Sequence, residues 1–357
     1  MSLSEVSGAL NTWTAAGKSA AVATLVQVRR SAPRAAGARL AVSEGGDMAG
    51  SISSGCVEGD LFERLKEVIA DGRPRLTEYG ISDEMAAGVG LPCGGEIEVL
   101  LARHDASDPV WRRLGETLVA GDPAVLVVGL GDSSEVASGD EVASEPAGRM
   151  LLVRHDLETT GSLGSTALDH EAESAIAPLF DRGGTAMLEL SGLRVFAEAF
   201  LPPPRLAIIG ASPIAEALCH LAAWASLDVT VIDPRTALAT ADRFPGATRV
   251  LDEWPEEGLA QAGIDRWLNV VVLSHDQKID VPALAAALRA GCLYVGLLGG
   301  KRTQRSRRQA LTEMGFAADE LERIHGPVGL DLGARGPREI ALSIMSQLIA
   351  VQRGVQP

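Results

Sequence analysis

From Arg205 onward the chain alternates short apolar runs with helix-patterned stretches, and this alternation constrains its fold more than any other feature. "RLAIIG", "DVTVID", "LNVVVLSHD" and "LYVGLLG" are continuous apolar runs of strand length, as expected of strands covered on both faces, and "IHGPVG" extends the series to a fifth. The intervening "SPIAEALCHLAAW" has Ser212 as a helix cap with Pro213 in the first turn, and "VPALAAALRAG" is a helix closed by Gly291. In "PREIALSIMSQLIAVQ", Ile340, Ile344, Leu348 and Val351 share one face, which predicts a docked terminal helix. Strands alternating with helices imply a parallel sheet. The fold class is therefore α/β: a C-terminal Rossmann-type parallel-sheet domain over residues 201–357 plus an N-terminal α+β domain. Pro202, Pro203 and Pro204 fit neither helix nor central strand and read as a stiff linker between them.

The N-terminal part is less regular. A helix over about 3–17 leads to the strand "AAVATLVQV", and "GARLAVSEGGDMAGSIS" reads as two strands around an acidic Gly-Gly turn. The helix "CVEGDLFERLKEVIADG" places Val57, Leu61, Leu65 and Val68 on one face and stops at Gly72; "GGEIEVLLAR" is a further strand. Residues 1–105 form a cysteine-bearing domain on this reading. Residues 106–200 are a variable middle segment of the same domain, with short strands ("AVLVVGL", "RMLLV", "LRVFAEAF") and an exposed Ser/Gly/Glu-rich loop at 131–148. No internal repeat stands out.

The formal net charge of −15 argues against nucleic acid or anionic membrane as a partner, since both demand a basic face. No apolar run reaches membrane-spanning length, so no membrane insertion is expected. The N-terminus lacks the basic start and apolar core of a signal peptide, so the expected location is cytoplasmic. Four cysteines in that compartment read as thiols rather than bridges.

Two of those cysteines lie in Gly-rich turns. Cys56, in "SISSGCVEGDL", stands at a helix start, where unpaired N–H groups and the positive end of the macrodipole favour a thiolate. Glu58 and Asp60 in the same turn oppose it, and Gly55 lets a bulky ligand approach the backbone. The competing reading is a packed small side chain. Cys93, in "VGLPCGGEIEV", is solitary like Cys56, so the two make no zinc pattern by spacing. Cys219 and Cys292 fall among apolar positions and read as core residues. In "RRSAPRAAGAR", Arg29, Arg30, Arg34 and Arg39 either decorate a solvated surface or hold an anion such as phosphate.

The Rossmann turn "IIGASPIAEAL" keeps only Gly210 of the three fingerprint glycines, with Ser212 and Ala215 in the other places, and Pro213 removes an N–H. Asp233 ends the second strand, where a ribose-binding acid belongs. The turn thus supports the fold more than it supports NAD binding. Ser274-His275-Asp276 ends the third strand; neighbours in sequence point apart, so His275 is a ligand contact or proton donor and not part of a triad. "GLLGGKRTQRSRR" ends the fourth with Lys301, Arg302, Arg305, Arg307 and Arg308, which suit a phosphate or an acidic partner surface.

Taken together, "SAPRAAGARLAV", "AGSISSGCVEGDL", "YGISDEMAAGVGLPCGGEIEV", "LAIIGASPIAEAL", "VTVIDPR", "SHDQKIDVPAL", "YVGLLGGKRTQRSRRQAL" and "HGPVGLDLGARGPREIALSIMSQLIAVQRG" resemble the accessory proteins of xanthine dehydrogenase and carbon monoxide dehydrogenase, the XdhC/CoxI family. The resemblance implies a maturation factor without turnover of its own, which binds the molybdenum cofactor, aids its sulfuration and inserts it into a molybdenum hydroxylase client. By that match Cys56 is the family's loop cysteine and Cys93 lies in its second Gly-flanked segment. Many relatives carry Gly-Gly ahead of the first cysteine, where this chain has Ser54-Gly55, and G-A-G-H where this chain has Gly210-Ala211-Ser212-Pro213.

The chemistry agrees with that implication. Molybdopterin carries a phosphate, in some forms extended to a dinucleotide, beside a dithiolene and molybdenum, and a soft thiolate such as Cys56 suits the metal end. Gly55, Arg34, Cys93, Gly210, Ser212, Asp233, His275, Lys301 and Arg302 are the further candidate contacts. A homodimer is expected. Two other readings remain: an NAD(P)-dependent oxidoreductase resting on Asp233, and a sulfur-transfer protein that takes a persulfide on Cys56 from a cysteine desulfurase.

Overall fold

The computed structural model describes residues 2–80, 95–132 and 147–355. It comprises two compact units, Met1–Leu201 and Pro202–Pro357.

In the N-terminal unit the elements run α1 (Ser2–Ala15), β1 (Ala20–Arg29), β2 (Arg39–Ser43), β3 (Met48–Gly50), α2 (Glu58–Asp71), β4 (Arg75–Tyr79), β5 (Glu96–His104), and then α3 (Pro109–Ala120), β6 (Ala124–Asp132), β7 (Met150–Arg154), β8 (Thr159–Gly161), α4 (Thr166–Ile176), the single turn α5 (Leu179–Arg182), β9 (Gly184–Leu190) and β10 (Leu193–Phe200). They build two five-stranded sheets, ordered β3-β2-β1-β5-β4 and β8-β7-β6-β10-β9. These are the same topology twice, so the unit contains a repeat that the sequence hides.

The correspondence holds residue by residue. Ala20 pairs with Ser43 and His104 in the first sheet, and Ala124 with Arg154 and Phe200 in the second. The central pairing shifts register between Leu25 and Gln27 in one and opposite Gly129 and Gly131 in the other. Gly17 follows α1 and Gly121 follows α3, and Gly72 ends α2 where the second module has Gly183; all four have positive φ. Over the best-matched stretch few residues agree beyond Gly50, Ser51, Ser54, Gly72 and Glu78 against Gly161, Ser162, Ser165, Gly183 and Glu189. Side-chain identity has gone while burial pattern and turn geometry remain, which is why composition and motif reading pass over it.

Each module has its own core. Leu40, Ile52, Leu61, Leu65 and Val99 pack together in the first, and their counterparts Leu151, Leu163, Ala172, Ile176 and Val195 in the second. A further cluster joins the modules through matched positions: Val6 and Val110, Leu10 and Leu114, Val22 and Leu126, Ala41 and Leu152. Glu98 and Arg194 occupy equivalent places and meet in a bidentate pair at 2.9 and 2.6 Å, and hydrogen bonding to the buried Glu98 raises the Arg194 pKa. Contacts between equivalent positions are the signature of a two-fold arrangement, here within one chain.

The C-terminal unit runs β11 (Arg205–Ile209), α6 (Pro213–Trp224), β12 (Asp228–Ile232), β13 (Arg249–Leu251), α7 (Pro255–Gln261), β14 (Leu268–Val272), α8 (Gln277–Arg289), β15 (Tyr294–Leu297), α9 (Lys301–Glu313), α10 (Ala318–Glu322), β16 (Ile324–His325) and α11 (Pro337–Gln352). All six strands are parallel in the order β13-β12-β11-β14-β15-β16. The chain therefore reverses its march across the sheet between β11 and β14, which is where doubly wound sheets open a ligand crevice. Ile340, Ile344, Leu348 and Val351 of α11 lie on the core against α6, as their spacing predicts. The unforeseen sixth strand, β13, is three residues long and only half-buried, so it carries no apolar run to announce it.

Candidate functional site

Cys56 sits between β3 and α2, half-buried, with its flank against the core of the first module. The turn carrying it is built around one carboxylate. Glu58 Oε1 accepts from Ser51 Oγ (2.7 Å), Ile52 N (3.1 Å) and Ser53 N (2.8 Å), while Oε2 accepts from Gly55 N (2.8 Å), Val57 N (3.2 Å) and Ser53 Oγ. The fully buried Ser53 hydroxyl in turn accepts from Cys56 N (2.9 Å) and Val57 N (3.0 Å). Ser54 and Gly55 adopt positive φ, 62° and 120°, and a Cβ on Gly55 would meet nothing within 4 Å among the described residues. The N–H groups expected to face the thiol are thus occupied by Glu58 and Ser53. Asp60 is engaged elsewhere, with Arg64 and the Tyr79 hydroxyl.

Burial pushes the Glu58 carboxyl up, but the hydrogen bonds from Ser53, Ser51 and the backbone outweigh it and hold the group down at about 2, from an ordinary value of 4.5. A depressed folded-state value means that the ionised carboxylate stabilises the turn above about pH 4.5 and that this contribution is lost as pH falls toward 2. Acid unfolding should therefore shift in Glu58→Gln, with the difference from the parent present at pH 7 and vanishing near pH 2, as read by urea melts across that range.

Cys93 lies outside the described residues, as does most of the 131–148 loop. Three arginines of the basic loop are already matched: Arg39 is buried against Glu198, Arg29 lies 3.6 Å from Glu78 and Arg30 3.6 Å from Glu96. Arg29 and Arg30 are nonetheless exposed and Arg34 is half-buried, while Arg39 is taken up inside the unit. Cys219 and Cys292 are core residues whose burial pushes their thiols up to about 11 and about 12.

In the C-terminal unit, Gly210 follows β11 with φ 101°, and a Cβ there would lie 2.7 Å from the Ser274 backbone, so glycine is required for the close approach of the two loops that floor the crevice. Ser212 caps α6 by accepting from Ala215 N at 3.2 Å. Asp233, fully buried at the end of β12, accepts from Ala211 N (2.7 Å), Arg235 N (2.9 Å) and the Arg235 guanidinium (2.8 Å at Nε). Burial raises its carboxyl, and these bonds more than offset it and hold it below the usual range. The acid placed for a ribose is thus closed off by its own neighbour two residues on, an Asx-type pattern visible in "DPR".

His275 is exposed at the end of β14 in a left-handed conformation, φ 64°. Arg307 holds its carbonyl at 3.0 Å and reaches Asp280 through Nε at 3.0 Å; Asp280, 1% exposed, also accepts from Ser274 Oγ. Burial pushes the Asp280 carboxyl up despite those partners. Strained backbone gripped in this way is characteristic of ligand-facing loops. Lys301 and Arg302 are exposed in the first turn of α9. The crevice therefore gathers Gly210, Ser212, Asp233 and His275, while Arg235 and Asp280 are the residues sequence reading missed, and Arg307, read there as one of a run of cations, is bound to Asp280 and the His275 carbonyl. Among the described residues no group of three metal-ligating side chains converges, and no helix is long and apolar enough to cross a membrane.

Comparison with known proteins gives a consistent result. Residues 206–348 match the XdhC Rossmann domain and residues 13–80 the XdhC and CoxI family. The molybdenum cofactor insertion chaperone PaoD of Escherichia coli is 30% identical over 337 residues, covering 94% of this chain and 84% of that one. A Bacillus subtilis protein described as a probable xanthine dehydrogenase component is 28% identical, covering 94% of both. A crystal structure described as a xanthine dehydrogenase from Bacillus halodurans is similar over the whole of this chain and 97% of that one, with a TM-score of 0.62 and 27% identity.

Proposed function

The chain belongs to the XdhC and CoxI family, and on that premise we propose that it is a chaperone that takes the molybdenum cofactor as cargo, supports its sulfuration and delivers it to a molybdenum hydroxylase of the xanthine or carbon monoxide dehydrogenase type. The Cys56 turn carries the reading. It presents a half-buried thiol on a pinned backbone with open space at Gly55 among the described residues, which suits docking of a soft metal centre. Gly55 leaves room for the pterin, and Arg34 and Cys93 are the further contacts proposed in this unit. In the C-terminal unit Gly210, Ser212, Asp233, His275, Lys301 and Arg302 are proposed for the phosphate or dinucleotide end, with exposed cations at the start of α9 supplying the charge. The partners proposed are the client enzyme, a cysteine desulfurase and a second copy of this chain, in a cytoplasmic setting.

The test is anaerobic loading of the purified protein with molybdenum cofactor, followed by desalting and measurement of molybdenum per chain. Cys56→Ala is expected to retain at least about tenfold less than the parent, as loss of a metal contact does elsewhere. If Cys56→Ala and Cys93→Ala both retain as much as the parent, the cysteine role is wrong. The oxidoreductase alternative is disfavoured by Arg235, which must release Asp233 before a ribose can reach it. Titration calorimetry with NAD(H) and NADP(H) tests that directly, and micromolar binding lost in Asp233→Ala would reinstate it.

A further inference from the structure

The duplication supplies an internal control for the Cys56 turn. Ser51, Ile52, Cys56 and Glu58 of the first module correspond to Ser162, Leu163, Ala167 and Asp169 of the second. The anchor is shared. Ser51 Oγ and Ile52 N bond to Glu58 at 2.7 and 3.1 Å, and Ser162 Oγ and Leu163 N bond to Asp169 at 2.8 and 2.7 Å.

Beyond the anchor the two differ. In the module without a thiol, Ser165 caps the helix by accepting from Leu168 N at 3.3 Å, and α4 begins at Thr166. In the module with the thiol, the equivalent of that first turn is opened out, and α2 begins only at Glu58. The amides of the opened turn, which like those of any helix start have no intrahelical partner, are collected by the Ser53 hydroxyl, where the second module has Gly164, and by the second carboxylate oxygen of Glu58, which reaches Gly55 N and Val57 N, whereas Asp169 spends both oxygens on the anchor. Asp169 is one methylene shorter and makes no such bonds among the described residues.

We propose that Glu58 is a positioning residue: with Ser53 it holds open what would otherwise be the first turn of α2, and so presents the Cys56 thiol outside the helix. The hydrogen bonds described for the turn are made by the chain's own groups. The inference rests on reading Cys56 as the working thiol, but its test uses the unloaded full-length protein, so its failure is separable from failure of cofactor loading.

Two readouts are needed: residue-resolved amide exchange across 51–58, and iodoacetamide labelling of Cys56 located by peptide mass mapping so that Cys93 does not interfere. Glu58→Asp keeps the charge and the anchor but loses the reach. Exchange at Gly55 and Val57 should rise about tenfold, the weight of one lost hydrogen bond, while Ile52 stays protected, and Cys56 labelling should slow severalfold as the thiol is drawn into the first turn of α2. Ser53→Ala, which changes no charge, should free Cys56 and Val57 in the same way. Asp169→Asn loosens the other module and should leave both readouts at Cys56 unchanged. The proposal is overturned if Glu58→Asp and Ser53→Ala exchange and label like the parent, or if Asp169→Asn alters the Cys56 turn as much as they do. Should Glu58→Asp fail to fold, Ser53→Ala decides it.

Discussion

Arg39→Ala should cost the N-terminal unit about 3–5 kcal/mol, because it leaves the Glu198 carboxylate buried without its cation. Arg39 is 1% exposed and Glu198 8%, and the pair joins β2 of one module to β10 of the other. The second module shows what evolution accepts in its place, since the positions equivalent to Arg39 and Glu198 are Met150 and Ala102. Arg39→Met combined with Glu198→Ala should therefore recover most of the loss, to within about 1–2 kcal/mol of the parent, as apolar replacement of buried pairs commonly does. Urea unfolding followed by amide exchange in β1 and β10 measures both. A double variant no better than Arg39→Ala would mean that the pair does more than fill its site.

The second large effect is a matched one. Gly50 and Gly161 have φ of 81° and 88°, and a Cβ on either would lie 2.2 Å from a backbone carbonyl oxygen, that of Arg39 or Met150, and 2.7 or 2.6 Å from Val6 or Val110. Strain and overlap together put Gly50→Ala and Gly161→Ala at about 3–5 kcal/mol each. The two should agree within about 1 kcal/mol, since the obstruction is the same in both modules. Equilibrium unfolding of the two single variants side by side provides the comparison, and a large disparity would show that the modules differ in more than their turns.

How much of this was legible in the chain depended on the kind of signal. The C-terminal sheet announces itself because strands buried on both faces must be continuously apolar, and "LNVVV" or "RLAII" allow few other readings. Gly72 and Gly291 likewise mark helix ends through a conformation only glycine adopts cheaply. The duplication was illegible because a core needs volume and pattern, not identity: Leu65 and Ile176, or Tyr79 and Leu190, do the same work with no shared letter. At the site, Cys56 could be picked out by residue type, but Glu58 was read as a charge opposing a thiolate when it is the hub of the turn. Arg235 escaped notice for a similar reason. Hydrogen-bond acceptors and donors look alike in sequence whether they face solvent, a ligand or their own backbone.

Equivalent residues beside a two-fold axis meet their own copies, so two separate identical modules pairing through the Glu98 and Arg194 positions would set Glu98 against Glu98 and repel. Every substitution in such an assembly would also appear on both sides at once. Joining the modules in a single chain lifts that constraint: one side of the axis can turn cationic, and one turn can keep a thiol while its twin gives it up. The N-terminal unit is asymmetric at its buried ion pairs and at the Cys56 turn and symmetric in its strand order and apolar packing, a combination open only to covalently linked halves.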